Sequence, residues 1–192
     1  MAQIVTTHWF QTHMLRQSRG QNYFGTLLYN HFMVIFINGS INSGKSTISK
    51  LLQKKIKKTA IVEIDSLRAF IEWMPIEEAI PINLQNAVDV IKNFDKQGLN
   101  VIVPYPLSQD NYNYFVENLD DLSKLIFITL SPNLDTVLKN RGDRDLSEWE
   151  TNRIKHHYKI GINKPDFGEI IDNSELTLEE TVDIINRYIN EL

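Results

Sequence analysis

The sequence predicts an α/β fold: one parallel sheet with helices packed on both faces. Three observations carry this. Short apolar runs recur at "MVIFIN" (33–38), "AIVEID" (60–65), "LNVIVPY" (99–105) and "KLIFITL" (124–130), and a continuous apolar run is what a strand buried on both faces requires. Between the runs, apolar residues fall at helical spacing, and strands that alternate with helices imply parallel pairing. The chain's 192 residues suit one domain with one sizeable core.

The elements follow in order. Residues 1–32 hold no Asp or Glu, and the first acidic residue is Glu63. They lack the basic start, apolar run and small-residue cleavage site of a secretory signal. Met33 stands directly before the first apolar run. Residues 1–32 are therefore expected to be a poorly ordered extension or a mis-assigned start, with the folded domain spanning 33–192. Thr47 to Lys58 reads as a helix with Ile48, Leu51, Leu52 and Ile56 on one side. After the second strand a helical stretch opens near Ser66 and is interrupted by Pro75 and Pro81. The next helix carries Leu84, Ala87, Val88, Ile91 and Phe94 at helical spacing and stops at Gly98. Asn111 to Asn118 reads as a helix after the third strand. Ser131 and Pro132 read as an N-cap and a proline at the first helical position. "EIID" (169–172) is a short fifth strand, and "TLEETVDIINRYINEL" closes the chain as an amphipathic helix.

Composition excludes several classes. The net charge of −4 and the lack of a dense basic tract disfavour a nucleic-acid partner. Lys54, Lys55, Lys57 and Lys58 cluster at a helix end, where cations complement the dipole. The absence of cysteine removes disulfides and thiolate metal sites and fits a reducing cytoplasm. No apolar run approaches the length of a membrane span. Nothing in the sequence states an oligomeric state.

"GSINSGKST" (39–47) matches G-x-x-x-x-G-K-S/T at Gly39, Gly44, Lys45 and Ser46. Glycines let several N–H groups curl around an anion, and a helix starting near Lys45 points its positive end at the same place. Ser40, Asn42, Ser43 and Thr47 complete the loop. Lys45 is placed to hold the β- and γ-phosphates of a nucleoside triphosphate, and the Ser46 hydroxyl to ligate Mg²⁺. A buried strand precedes the loop and a helix follows, as this chemistry demands.

Other motifs separate the possible enzyme classes. "NKPD" (163–166) imitates a guanine-reading motif and "DKQG" (95–98) a GTPase turn, but neither follows a buried strand. A motor-type ATPase would need an acidic pair ending a later strand, and "VIVPYP" and "LIFITLS" carry none. The acid that fits is Asp65, read as the end of the second strand, where open parallel sheets collect ligands. It would accept a proton from an attacking hydroxyl or help position Mg²⁺, against the plainer role of capping a helix. Glu63, two residues earlier on a strand, would face the same side. Arg68 would hold a polar or anionic part of the substrate, and Trp73 would supply an apolar wall. Arg141 and Arg144, in "RGDRDLSEWE", suit the clamping of charge that spreads over a transferring phosphoryl group, against the alternative of a salt-bridged loop. His156 and His157 read as surface residues, since neighbours on a helix cannot chelate together.

With these residues in place, residues 33–192 resemble the small-molecule P-loop kinases of the shikimate kinase and chloramphenicol phosphotransferase type. The resemblance rests on "GSINSGKST", "EIDSLR", "RGDRDLSEWE" and "IIDNSELTLEETVDII". It implies a P-loop NTPase three-layer αβα sandwich with a five-stranded parallel sheet in the order 2-3-1-4-5. It implies ATP and Mg²⁺, and transfer of the γ-phosphoryl to a hydroxyl of a small molecule. Asp65 would be the strand-two acid, Arg141 a lid arginine, and Asp172, Asn173 and Ser174 would lie near the adenine. Shikimate kinases carry a glycine cluster where this chain has "VPYPLS", which argues against shikimate itself and makes Tyr105 part of a stiff pocket wall. A nucleic-acid or nucleoside kinase, and a non-catalytic ATP-binding regulatory or toxin-like module, are the alternatives.

Overall fold

Five parallel strands form one sheet in the order β2-β3-β1-β4-β5, as the resemblance implies. The computed structural model describes residues 32–120, 122, 124–139 and 145–192. The predicted N-terminal extension up to residue 31, and both Arg141 and Arg144, lie outside the described residues. The strands are β1 (Val34–Asn38), β2 (Thr59–Ile61), β3 (Asn100–Pro104), β4 (Leu125–Leu130) and β5 (Glu169–Ile171). The principal helices are α1 (Lys45–Lys55), α2 (Ile64–Leu67), α3 (Ile76–Lys96), α4 (Gln109–Asn118), α5 (Leu134–Leu138), α6 (Glu148–Lys159) and α7 (Leu178–Glu191).

The central strand shows why its apolar run is unbroken. Val34 and Phe36 pack on one face against Ile91 of α3 and Phe115 of α4. Ile35 and Ile37 pack on the other against Ile48 and Leu52 of α1 and Val182 and Ile185 of α7. Side chains alternate across a strand, so a strand covered on both sides needs apolar residues at every position. Among the described residues, no helix is long and apolar enough to cross a membrane.

Three boundaries differ from the sequence reading. Pro81 does not interrupt its helix: α3 starts directly after Pro75 and runs through Pro81. Pro81 and Glu77 are both exposed, so the carbonyl that loses its helical donor faces water. The cap of α5 is Asn133, whose side chain accepts from the Thr136 N–H at 2.8 Å, not Ser131. Ser131 instead extends the sheet edge, its N–H donating to Ile171 O at 2.8 Å. The third concerns the second strand. Its last sheet bond runs from Val62 N to Ile102 O at 2.9 Å, and the chain then turns at Glu63 into the short α2. Asp65 thus lies in the first turn of a helix rather than at a strand end. The expected shared face of Glu63 and Asp65 disappears with the strand: Glu63 lines a groove with Lys50, Ser66 and Phe94, while Asp65 lines a different cavity.

Candidate active site

The phosphate loop connects β1 to α1 at the carboxyl end of the sheet, where open α/β sheets bind ligands. Asn38 ends β1 fully buried and ties three other segments together. Its Nδ2 donates to Thr129 Oγ1 and to Ile162 O, both at 3.0 Å, and its Oδ1 accepts from Leu107 N at 2.8 Å. Gly39 follows at φ 143°, and a Cβ there would sit 2.6 Å from Leu130 O. Gly44, at φ 99°, caps α1 without any side-chain hydrogen bond, which leaves the helix's first N–H groups aimed into the loop. Lys45 folds back and donates from Nζ to Ser40 O at 2.6 Å. Its ammonium is therefore held inside the curl of the loop. Ser46 and Thr47 are exposed on the first turn, so the Ser46 hydroxyl is accessible to a metal ion that also binds phosphate oxygens.

A pocket opens beside the loop, lined by Ser43, Gly44, Thr47, Asn173, Leu176 and Leu178. Asn173 is buried, and its Nδ2 donates to Ser43 O at 3.1 Å. Asn173 Oδ1 and Ser43 Oγ are buried with no hydrogen-bond partner among the described residues. Unpaired buried polar atoms are costly, and a nucleotide would supply what they lack: an amino group donating to Asn173 Oδ1 and a phosphate oxygen accepting from the Ser43 hydroxyl. The residues present fit ATP. Asp172 and Ser174, expected near the adenine, do not line this pocket. Asp172 accepts from the Ser174 N–H at 2.9 Å and from its hydroxyl, and these bonds hold the Asp172 carboxyl below the usual range. Ser174 Oγ also accepts from Asn133 N at 2.8 Å, so the pair ties the turn after β5 to the start of α5. Asn42 anchors the loop from the other side: its Nδ2 donates to Val137 O and Lys139 O at 2.8 and 3.0 Å.

A second cavity, of about 130 Å³, lies on the opposite side of the loop. Asp65 and Arg68 enter it from α2 and the turn that follows. Tyr105 and Pro106 form a wall beyond β3, as expected for Tyr105. Helix α3 contributes Ile76, Ala79, Ile80 and Asn83, a stripe at i, i+3, i+4 and i+7. Helix α6 contributes Trp149, Arg153 and His157, each four residues after the last and so on one face.

Charge couples this cavity to the loop. Desolvation lowers the Lys45 pKa to about 8, and the Asp65 charge partly opposes that. Desolvation raises the Asp65 pKa although the residue is exposed at the cavity mouth, and the nearby Lys45 charge lowers it. Lys45 and Asp65 make no direct ion pair, so they interact across a gap that a reacting group can enter. Burial, reinforced by Asp65 and opposed by Arg153, pushes the Tyr105 phenol up to about 12. Tyr105 is therefore a hydrogen-bond donor, never a phenolate, at neutral pH. A bound phosphate would return Lys45 toward its ordinary pKa, because an adjacent anion favours the charged form. ADP binding at pH 8.5 is thus expected to take up roughly 0.7 of a proton. Calorimetry in buffers of different ionisation enthalpy measures this, and Lys45→Met should abolish the uptake. No uptake would mean that the phosphates bind away from Lys45.

His157 corrects a prediction. Read as a surface residue, it is buried, and its Nδ1 lies 3.3 Å from Ser40 Oγ of the phosphate loop. Burial first, then Arg153, Lys45 and His156, depress its pKa to about 4, so the imidazole is neutral and joins α6 to the loop. Trp73 is a second correction. It is 80% exposed and does not line the cavity, because α3 begins too soon after it for the chain to turn inward. Trp149 takes the place expected of it. Arg153 and Asn83 were missed as well. The only trace in the sequence was the Trp149–Arg153–His157 spacing on an otherwise polar helix.

No protein-family model matches the chain, and no curated protein sequence matches it. Solved structures do. The tunicamycin resistance protein of Deinococcus radiodurans superposes with a TM-score of 0.64 at 18% identity, covering 82% of this chain and 95% of that one. A sugar kinase from a Janibacter species gives 0.63 at 14% identity, with coverages of 83% and 94%. Shikimate kinase from Aquifex aeolicus gives 0.52 at 18% identity, with coverages of 83% and 97%.

Proposed function

We propose that this chain, which has the fold of the P-loop small-molecule kinases, transfers the γ-phosphoryl group of ATP to a hydroxyl of a small molecule. The observation that carries the proposal is the phosphate loop, with the Lys45 ammonium held against Ser40 O, beside a cavity that the Asp65 carboxylate lines. A cation that holds phosphates and a carboxylate that accepts a proton then face each other where donor and acceptor would meet.

The chemistry follows from that placement. The acceptor hydroxyl oxygen attacks the γ-phosphorus, its proton passes to Asp65, and the β–γ bridging oxygen leaves with ADP. Desolvation makes Asp65 a stronger base than an ordinary carboxylate. Lys45 and the N–H groups of the loop stabilise the charge on the transferring group. Mg²⁺, held by Ser46 and phosphate oxygens, would supply further charge neutralisation. We assign Arg141 and Arg144 to clamping the γ-phosphoryl group on the sequence alone. The neighbours' names include an antibiotic resistance protein and a sugar kinase, so the test must cover chemically diverse acceptors.

The test is ADP release from Mg·ATP against a broad panel of hydroxyl metabolites and antibiotics, with Lys45→Ala as the inactive control. One acceptor raising the rate well above the water background supports the reading. Tight ATP binding with no stimulation by any acceptor would favour a macromolecular acceptor or a regulatory ATP-binding module.

A further inference from the structure

Joining α6 to the phosphate loop occupies only one of the two ring nitrogens of His157. Its Nδ1 lies 3.3 Å from Ser40 Oγ. Ser40 is 1% exposed, and its hydroxyl meets no other partner among the described residues. This one hydrogen bond satisfies both groups only if the hydroxyl donates and Nδ1 accepts, because the reverse leaves the hydroxyl proton buried without an acceptor. The ring proton then sits on Nε2. That nitrogen makes no hydrogen bond among the described residues, and the ring lines the second cavity, as Asp65 does. Ser40 marks the γ end of the loop: a lysine at the Lys45 position reaches the β- and γ-phosphates, and its ammonium stands 2.6 Å from Ser40 O. The backbone fixes His157 there. Ile162 N donates to His157 O at 3.0 Å, and Ile162 O accepts from Asn38 Nδ2, also at 3.0 Å. Burial and the charges of Arg153, Lys45 and His156 hold the imidazole neutral, with a pKa of about 4. Near neutral pH it therefore donates a hydrogen bond without giving up its proton.

We propose that His157 is a catalytic residue, donating from Nε2 to an oxygen of the nucleotide's γ-phosphoryl group where the phosphate loop meets the second cavity. The inference rests on the phosphotransferase reading. A neutral donor fixed in place stabilises the charge that spreads over the transferring group, and it needs no reorganisation at the moment of reaction. The hydrogen bond forms only when a γ-phosphoryl group is present, so ADP does not sense it and ATP does. His157 thereby helps the loop distinguish the two nucleotides.

Calorimetric titration of the full chain with Mg·ADP and with Mg·AMPPNP, a non-hydrolysable analogue that keeps a γ-phosphoryl group, tests this without any acceptor. His157→Asn and His157→Gln separate the two ring nitrogens. Asparagine can accept from Ser40 at the position of Nδ1 but puts no donor at the position of Nε2, and glutamine does the reverse. His157→Asn should lower the preference for AMPPNP over ADP roughly 10- to 100-fold. Its ADP affinity should hardly change, which also shows that the variant folds. His157→Gln should keep most of the preference. Long-range proton–nitrogen correlation spectra of the unsubstituted chain should place the ring proton on Nε2, a readout that needs no variant. A proton on Nδ1 overturns the inference. So does a preference kept in His157→Asn but lost in His157→Gln, which would make the Ser40 contact the whole role of the residue. Equal loss of affinity for both nucleotides in His157→Asn overturns it too. If the unsubstituted chain binds neither nucleotide, the phosphotransferase reading falls and takes the inference with it. If it binds both and His157→Asn leaves their ratio unchanged, only the inference falls.

Discussion

Asp65→Asn is expected to lower acceptor-dependent phosphoryl transfer by about two to four orders of magnitude while Mg·ATP affinity changes only a few-fold. The substitution keeps the side chain's size and removes the group that takes the proton. It also removes the negative charge that supports protonation of Lys45, so proton uptake on ADP binding should increase slightly. The pH profile gives an independent check. Transfer requires the carboxylate form, and desolvation raises the Asp65 pKa above its ordinary 3.8. The acidic limb of kcat should therefore lie above the usual aspartate range, with activity lost as pH falls through that raised pKa. Single-turnover kinetics separate binding from chemistry. A variant that lost ATP affinity and transfer in equal measure would show Asp65 to be a structural support of the loop. The placement already disfavours a capping role: the residue preceding α2 is Glu63, and no side chain caps that helix.

Gly39→Ala should abolish nucleotide binding and destabilise the fold by about 2–5 kcal/mol. Two effects add. The backbone at φ 143° is one that L side chains rarely adopt, and the new Cβ would stand 2.6 Å from both Leu130 O and Ser43 Oγ. Ser43 can rotate away, but Leu130 O belongs to a central strand and cannot. The loop must therefore move, and its N–H groups leave the arrangement that cradles an anion. Gly161→Ala separates the two effects. Its φ is 81°, yet the nearest neighbour of a Cβ there, Lys164 O, is 3.9 Å away, so only the backbone preference of roughly 1 kcal/mol is lost. Thermal denaturation with and without ADP measures both. Gly39→Ala should melt markedly lower and show no ADP-induced shift, whereas Gly161→Ala should melt slightly lower and keep it. ADP stabilisation of Gly39→Ala equal to that of the wild type would mean that phosphate is held elsewhere.

The phosphate loop was legible because its geometry is local. Glycine at fixed offsets, a preceding apolar run and a following helical stripe are all properties of one continuous segment. The "DKQG" and "NKPD" segments were rejected on the same local grounds, and the structure agrees: the first closes α3, where Gly98 N donates to Asp95 O at 2.8 Å, and the second follows α6 and a turn rather than a strand. Asp65 lines the second cavity, but not for the reason the sequence offered. Its strand ends at Ile61, and the helical turn of α2 directs it to the cavity.

Most of the second cavity was not legible. Asn83 and Arg153 are ordinary polar residues on two helices, and nothing near them in sequence marks them. His157 reaches a loop residue 117 positions away, a contact that exists only because α6 packs over the carboxyl end of the sheet. The sequence by itself determined the alternation of strands and helices, the phosphate loop and the chemistry of Lys45, since these depend on backbone preferences and spacing within single segments. The tertiary structure alone decided which helix faces meet across the sheet, and so which arginines, which buried asparagine and which tryptophan line the second cavity. Strand order and helix packing bring those groups together from segments far apart in the chain, and the resulting burial and mutual charge set their chemistry.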